Sequence, residues 1–333
     1  MYSHKPTVSI IIPLYCVEQY VAECIRSVLN QDYPALEVVV VDDASPDRSA
    51  EIVSELFINE NPLRHKLNMV KHPHNRGSAM ARESGVQAAG GELLLFLDSD
   101  DYLITSNAVS LIVEKMLQEQ ADLLLYGWKE LFRHSTRTSL PKHFSTSLAL
   151  AIAIISGRAP GYLCNKCFRK DFFMQYARFF EGCDMWEDIV VTSICAYQAQ
   201  RIAYLDTPLL MYRRTNENAL TYRLTPKKLH SMQHQQGYLK EYFDKEALPQ
   251  EQDALQEALH FMGLSILHTE LSYSNYSRYK ELLATHPPLQ AYLRADGSLA
   301  ARFSLMSIRL YNAGLRRLGY RVLRFKHYLL RLR

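Results

Sequence analysis

Four strand-length stretches rich in β-branched residues and leucine recur through the first hundred residues, and a helical pattern separates each from the next. They are residues 8–12, 36–41, 67–71 and 93–97. A strand that is apolar on both faces must be covered on both faces, as in parallel sheets whose crossover helices lie above and below. Between the first two, Val17, Tyr20, Val21, Cys24, Ile25, Val28 and Leu29 repeat at the spacing of one helix face. Ser45 followed by Pro46 predicts an N-cap and a first helical residue, opening a second helix that runs to Phe57. A small-residue helix is predicted over 78–89, closed by Gly90 and Gly91. The resulting βαβαβαβ order predicts an α/β fold with a Rossmann-like, mostly parallel sheet flanked by helices. Ligands of such sheets gather at the carboxyl ends of the strands. That rule selects residues 13–18, 42–47 and 98–101.

Beyond Asp101 the pattern changes. Helices are predicted over 108–120, 148–156 and 188–199, a strand over 122–128, and a polar loop or hairpin over 133–147. From Pro226 the chain reads as mostly helical, with breaks at Pro249, at Pro287-Pro288 and near Gly297. We therefore divide it into 1–105, 106–215 and a helical 216–333. A net charge of +3 gives no global reason to expect nucleic acid. Six cysteines in 333 residues are too sparse for a disulfide scaffold. No signal-peptide pattern and no apolar run of about 18 residues is present, so a reduced, cytoplasmic protein is expected. From Arg302 onward there are nine Lys and Arg and no acid. Residues 316–333 mix these with bulky apolar side chains, which suits either a helix docked on the core or a basic amphipathic helix at the inner membrane face.

Four segments carry chemistry. In Asp98-Ser99-Asp100-Asp101, three carboxylates sit where a buried strand empties into a loop. Such a cluster needs a cation or strong donors to stay ionised, and oxygen ligands suit Mg²⁺ or Mn²⁺. Acidic capping of a following helix is the plain alternative. Asp42 and Asp43 end the second strand, where they can accept from a base N–H and a ribose hydroxyl or simply cap a helix. Arg76 and Arg82 flank Gly77-Ser78, a turn opening a helix, where arginine forks and backbone N–H groups can hold phosphate. Glu187-Asp188 could supply a proton acceptor for an attacking hydroxyl or only an acidic first helical turn. Neither a Gly-x-Gly-x-x-Gly nor a P-loop pattern follows the first strand. Cys164 and Cys167 have CxxC spacing without the second pair a zinc site needs.

Taken in order, these segments resemble the family-2 inverting glycosyltransferases of GT-A fold. The matching residues are 8–15, Asp42-Asp43-Ala44-Ser45, Asn75-Arg76-Gly77 with Ala81-Arg82, Asp98-Ser99-Asp100-Asp101, Asn165-Lys166 with Phe168-Arg169, and Glu187-Asp188. The resemblance spans roughly residues 6–215. It implies transfer from a nucleotide sugar, a UDP-sugar first and a GDP- or dTDP-sugar as the alternatives, to a glycan or lipid-linked acceptor with inversion, in surface polysaccharide or lipid-linked glycan synthesis. It places Pro13, Tyr15 and Glu18 at the nucleotide pocket, Asp42 or Asp43 on the base, and Arg76 and Arg82 near the diphosphate. Asp98 and Ser99 would lie at ribose or sugar, Asp100 with Asp98 at Mn²⁺ or Mg²⁺, and Asp188 would be the base with Glu187 beside it. Glu83 stands where the family often has Asn. Two other functions fit the same segments: a sugar nucleotidyltransferase, and a non-catalytic nucleotide-sugar-binding scaffold at the membrane.

Overall fold

The computed structural model describes residues 5–63, 65–183, 185–216, 225–285, 299–313, 315, 317–318 and 320–323. The chain divides into two compact units, Met1–Arg223 and Leu224–Arg333. In the first, parallel strands β1 (Val8–Leu14), β2 (Leu36–Asp42), β3 (Lys66–Lys71) and β4 (Leu93–Phe96) lie in the order β3-β2-β1-β4. The sheet then continues through β8 (Lys166–Arg169), β6 (Leu123–Leu131) and β9 (Ile202–Arg213) to the two-residue β5 (Tyr102–Leu103). Strand β8 is antiparallel to both β4 and β6, whereas β9 runs parallel to β6. The sheet is therefore mixed beyond β4, and β7 (Thr136–Ser139) pairs with β6 as a hairpin.

Side-chain parity splits the core into two layers. Ile10, Ile12, Val38, Val40 and Leu95 point to one face, where they meet α1 (Val21–Leu29), α2 (Ser49–Asn59) and α4 (Ala108–Glu119). Ile11, Val39, Leu94 and Phe96 point to the other. There they meet α3 (Ser78–Ala88), α5 (Ser147–Ile155), α6 (Lys170–Tyr176) and α7 (Glu187–Gln198). This double cover explains why β1, β2 and β4 read as nearly unbroken apolar runs.

Two helix starts differ from the sequence expectation by more than one residue. The first helix begins at Val21, not Val17, because a turn closed by Tyr20 N–H on the Val17 carbonyl precedes it. The second begins at Ser49, so neither Ser45 nor Pro46 starts it. Ser45 Oγ instead accepts from the Cys16 N–H at 2.8 Å, and Asp47 Oδ1 accepts from both Ser49 N and Ser49 Oγ at the helix start. The serine ties two loops together, and an aspartate two residues later takes its capping task.

Helix α3 lies directly on β1 and β2. A Cβ on Gly85 would stand 2.4 Å from Ile11 Cγ2 and 3.3 Å from Val41 Cγ2. Gly85→Ala gains about 1 kcal/mol of helix propensity but overpacks this contact at a cost of about 1–3 kcal/mol. We expect a net loss near 1 kcal/mol and a Tm lowered by about 2–4 °C. A melt at or above the wild-type Tm would mean that α3 does not sit there.

The second unit contains α8 (Pro226–Glu246), α9 (Pro249–Tyr273), α10 (Tyr276–Thr285) and α11 (Leu299–Asn312). The predicted break at Pro249 is the α8–α9 turn, where Pro249 is the first residue of α9. The breaks expected at Pro287-Pro288 and near Gly297 lie outside the described residues, as does most of the basic tail, 316–333. Among the described residues no helix is long and apolar enough to cross a membrane.

Candidate functional site

Every site segment predicted at a strand end within the first hundred residues stands at the carboxyl edge of β3-β2-β1-β4. Strand pairing extends past the strands themselves: Asp43 N–H donates to Leu14 O, His72 N–H to Asp42 O, and Leu97 N–H to Ile11 O. The three loops are thus fixed relative to each other before any side chain takes part. Cys16, Ala44 and Trp186 all have positive φ (53°, 57° and 69°) without being glycine, and each adjoins a predicted site residue. Such backbone conformers cost free energy and persist where surrounding structure enforces them.

Asp43 organises the arginine turn. Its Oδ1 accepts from Arg76 N–H at 2.8 Å and contacts His72 Nδ1 at 2.6 Å, while Oδ2 accepts from Gly77 N–H at 2.8 Å. Gly77 has φ 89°, a conformation a side chain would disfavour. Each carboxylate oxygen has two lone pairs, so Oδ2 can still accept one more donor. Asp42 turns Oδ1 to the Ser45 N–H at 2.9 Å. Pro13 is half-buried and Tyr15 is 47% exposed, so both can meet a ligand. Glu18 links the first two loops, donating its N–H to Asp47 Oδ2 and accepting from Arg48 N–H.

The two arginines differ sharply. Arg76 remains partly open, its Nε 3.3 Å from the exposed Glu181. Arg82 is largely enclosed, held between Asp98 (2.7 Å) and Glu187 (2.8 Å). Burial alone would lower its pKa, but the two carboxylates outweigh that and raise it.

Three aspartates crowd the β4 turn. Asp101 is buried: its Oδ1 accepts from Arg213 N–H at 2.7 Å and its Oδ2 has no partner. Asp100 accepts from Asn216 Nδ2 at 2.7 Å, and its carbonyl accepts from Arg213 Nε at 2.9 Å. Loss of water, then the charge of Asp98, raises the Asp100 pKa. Asp101 is held well above the ordinary carboxylate range by burial and by Asp100 and Asp98. Ser99 is buried in the turn.

Asp98, Asp101 and Cys164 can bring ligand atoms within 4.8 Å of one another. Burial holds the Cys164 thiol protonated, and a neutral thiol suits a hard cation poorly. Asp100, expected beside Asp98 on the ion, is not in that group; carboxylate oxygens suit Mn²⁺ or Mg²⁺, and Asp101 Oδ2 is buried without a partner.

Asp188 opens α7 and is half-buried, with Ile189 N–H on its Oδ1 at 2.8 Å. Removal from water, then the neighbouring Glu187, pushes its pKa up to about 7 against the opposing pull of Arg82 and Lys166. Lys166 is fully buried on β8, and its Nζ donates to Pro160 O, Tyr162 O and Asn165 Oδ1. Burial pushes its pKa down to about 8.

The sequence profile named Glycosyl transferase family 2 matches residues 9–181, more than half of the chain. This chain belongs to glycosyl transferase family 2. The uncharacterized glycosyltransferase EpsJ of Bacillus subtilis is 31% identical over 227 residues, covering 65% of this chain and 63% of EpsJ. The match thus spans under two thirds of that relative's length. The crystal structure of S. aureus TarS 1-349 in complex with UDP-GlcNAc superposes with TM-score 0.69 at 20% identity, over 97% of this chain and 92% of that one. The mannosyltransferase PcManGT from Pyrobaculum calidifontis, in complex with GDP-Man and Mn²⁺, superposes with TM-score 0.55 at 18% identity, over 97% and 87%. The GT-A fold expected from the sequence is therefore the fold observed.

Three residues around this family-2 site were not singled out for a role. His72 joins Asp43 to Ser84 Oγ at 2.9 Å, but twelve scattered histidines gave no spacing by which to choose it. Arg213 clamps the aspartate turn from β9, over a hundred residues away in sequence. Lys166 was legible only as part of Asn165-Lys166, without a task.

Proposed function

We propose that this protein transfers a sugar from a nucleoside-diphosphate donor to an acceptor hydroxyl in a single displacement with inversion. The observation that carries the proposal is Asp188: a carboxylate with a pKa near 7, linked through Glu187 and Arg82 to the aspartate turn. One base near neutrality is what a hydroxyl nucleophile needs. Asp43 Oδ2 and Asp42 are the acceptors for a base N–H, Tyr15 and Pro13 flank the base, and Arg76 is the partly open cation for the diphosphate. Asp98 and Asp100 would hold the divalent ion, with Asp101 completing the carboxylate turn. When bound, that ion neutralises charge on the departing diphosphate. Asp188 takes the acceptor proton while Glu187, fixed by Arg82 and Ser78, keeps the α7 turn in place.

The neighbours bound to UDP-GlcNAc and to GDP-Man with Mn²⁺ support a nucleotide sugar and a metal. A UDP-sugar is our leading donor, and a surface polysaccharide or lipid-linked glycan the leading acceptor class. Family-2 membership and the missing Gly-rich phosphate loop weigh against a sugar nucleotidyltransferase.

Calorimetry with UDP-, GDP- and dTDP-sugars, with and without Mn²⁺, tests the reading. Metal-dependent binding of one carrier is expected. Binding without turnover on any acceptor would favour the scaffold function, and a product of retained anomeric configuration would refute the single displacement.

A further inference from the structure

We propose that Arg82 is a positioning residue: a strut that sets the separation between the aspartate turn and the Glu187-Asp188 turn, and not a ligand of the donor phosphates. This rests on the glycosyl-transfer reading above. The Arg82 side chain is 11% exposed, and its Nε is buried with no partner. Its two terminal nitrogens are each taken: Nη1 donates to Glu187 Oε1 at 2.8 Å and Nη2 to Asp98 Oδ1 at 2.7 Å. A residue waiting for phosphate would present that fork to solvent, as Arg76 more nearly does.

The geometry around Arg82 is that of a brace. Ser78, one turn earlier on the same helix face, donates to the same Glu187 oxygen at 3.0 Å. Helix α3 is itself seated on β1 and β2 through Gly85. The brace therefore refers both carboxylates to the central sheet. A guanidinium is planar and rigid, so two carboxylates on its fork keep a fixed separation. An ammonium carries the same charge without the fork.

The α7 turn needs such support. It is entered through Trp186 at φ 69°, and it begins with two consecutive carboxylates. Lys166, the other buried cation near Asp188, points its three donors at neutral oxygens of residues 160, 162 and 165. Among the described residues, Arg82 is the cation that contacts both turns directly.

The test uses the full chain, UDP with Mn²⁺ in calorimetry, and UDP release from UDP-GlcNAc. With Mn²⁺ saturating for both proteins, so that a weaker hold on the ion at Asp98 does not reach the nucleotide, Arg82→Lys is expected to leave the Kd for UDP within about threefold and to lower kcat by about 10²-fold, the scale of a 1 Å misplacement. Combined with Glu187→Gln, it should cost no more than about threefold beyond the slower single variant, because both break one brace. Should Arg82→Lys fail to fold, Ser78→Ala and Glu187→Gln remove the other ends, and each should lower kcat with Kd unchanged. A Kd raised by about 30-fold or more in Arg82→Lys, against a wild type that binds, would make Arg82 a phosphate ligand and overturn the strut alone. So would an unchanged kcat. A wild type that binds none of UDP, GDP or dTDP would overturn the reading of the site and the strut together.

Discussion

Asp188→Asn is expected to lower kcat by about 10³-fold, within the range a general base contributes, while the Kd for the donor changes by less than about threefold. The amide is nearly isosteric and retains an oxygen to accept the Ile189 N–H, so the α7 turn should survive the change. The substitution removes the proposed proton acceptor and little else. The pH dependence follows from the same group. Its pKa is raised to about 7, so the unprotonated, active form is half-populated there. Below that point kcat should fall by about tenfold per pH unit, and above it the rate should level off. Asp188→Asn should flatten this limb. A variant with kcat within about tenfold of wild type would place the base elsewhere. A limb near pH 4 would mean that water reaches Asp188 far more freely than its half-buried position allows.

The parts of this site legible in the sequence are those that follow from strand ends. Asp42 and Asp98 each close an apolar run, with Asp43 and Asp100 just beyond, and a parallel sheet brings those ends to one edge. What could not be read is how the loops hold one another. Ser45 looked like a helix cap because Ser-Pro usually is one, but it binds Cys16 across the sheet edge. No local pattern encodes that contact. Strands β8 and β9 were missed for a related reason. Residues 166–169 are too few to show alternation, and β9 is half-exposed along most of its length, so its apolar signal is weak. Yet β9 delivers Arg213 to Asp101, and β8 delivers Lys166 to the oxygens of Pro160, Tyr162 and Asn165. The positions of these residues were readable because they sit at the ends of regular elements. The bracing was not, because it joins residues such as Arg82 and Glu187, which are 105 positions apart.

Asp100→Asn should separate binding from stability in opposite directions. Loss of an outer-shell partner already lowers metal affinity by about 10–100-fold, so removing a ligand charge should raise the Mn²⁺-dependent Kd for nucleotide by at least about 100-fold. Nucleotide affinity measured without metal should barely move, since Asp42, Asp43 and Tyr15 are untouched. In the metal-free protein the same change relieves repulsion among Asp98, Asp100 and Asp101, whose burial and mutual charge raise the pKa of the latter two. The amide can still accept from Asn216, which holds Asp100 at 2.7 Å. The variant should therefore melt at or above the wild-type temperature without metal, by about 1–3 kcal/mol of relieved repulsion at most. Adding Mn²⁺ should raise the Tm of the wild type and leave that of Asp100→Asn nearly unchanged, because only a ligand bound to the folded state stabilises it. A single set of melts with and without Mn²⁺ reads both effects. If the variant melts lower without metal, Asp100 is a structural hydrogen-bond acceptor first. If Mn²⁺ stabilises both proteins equally, the ion binds away from the aspartate turn.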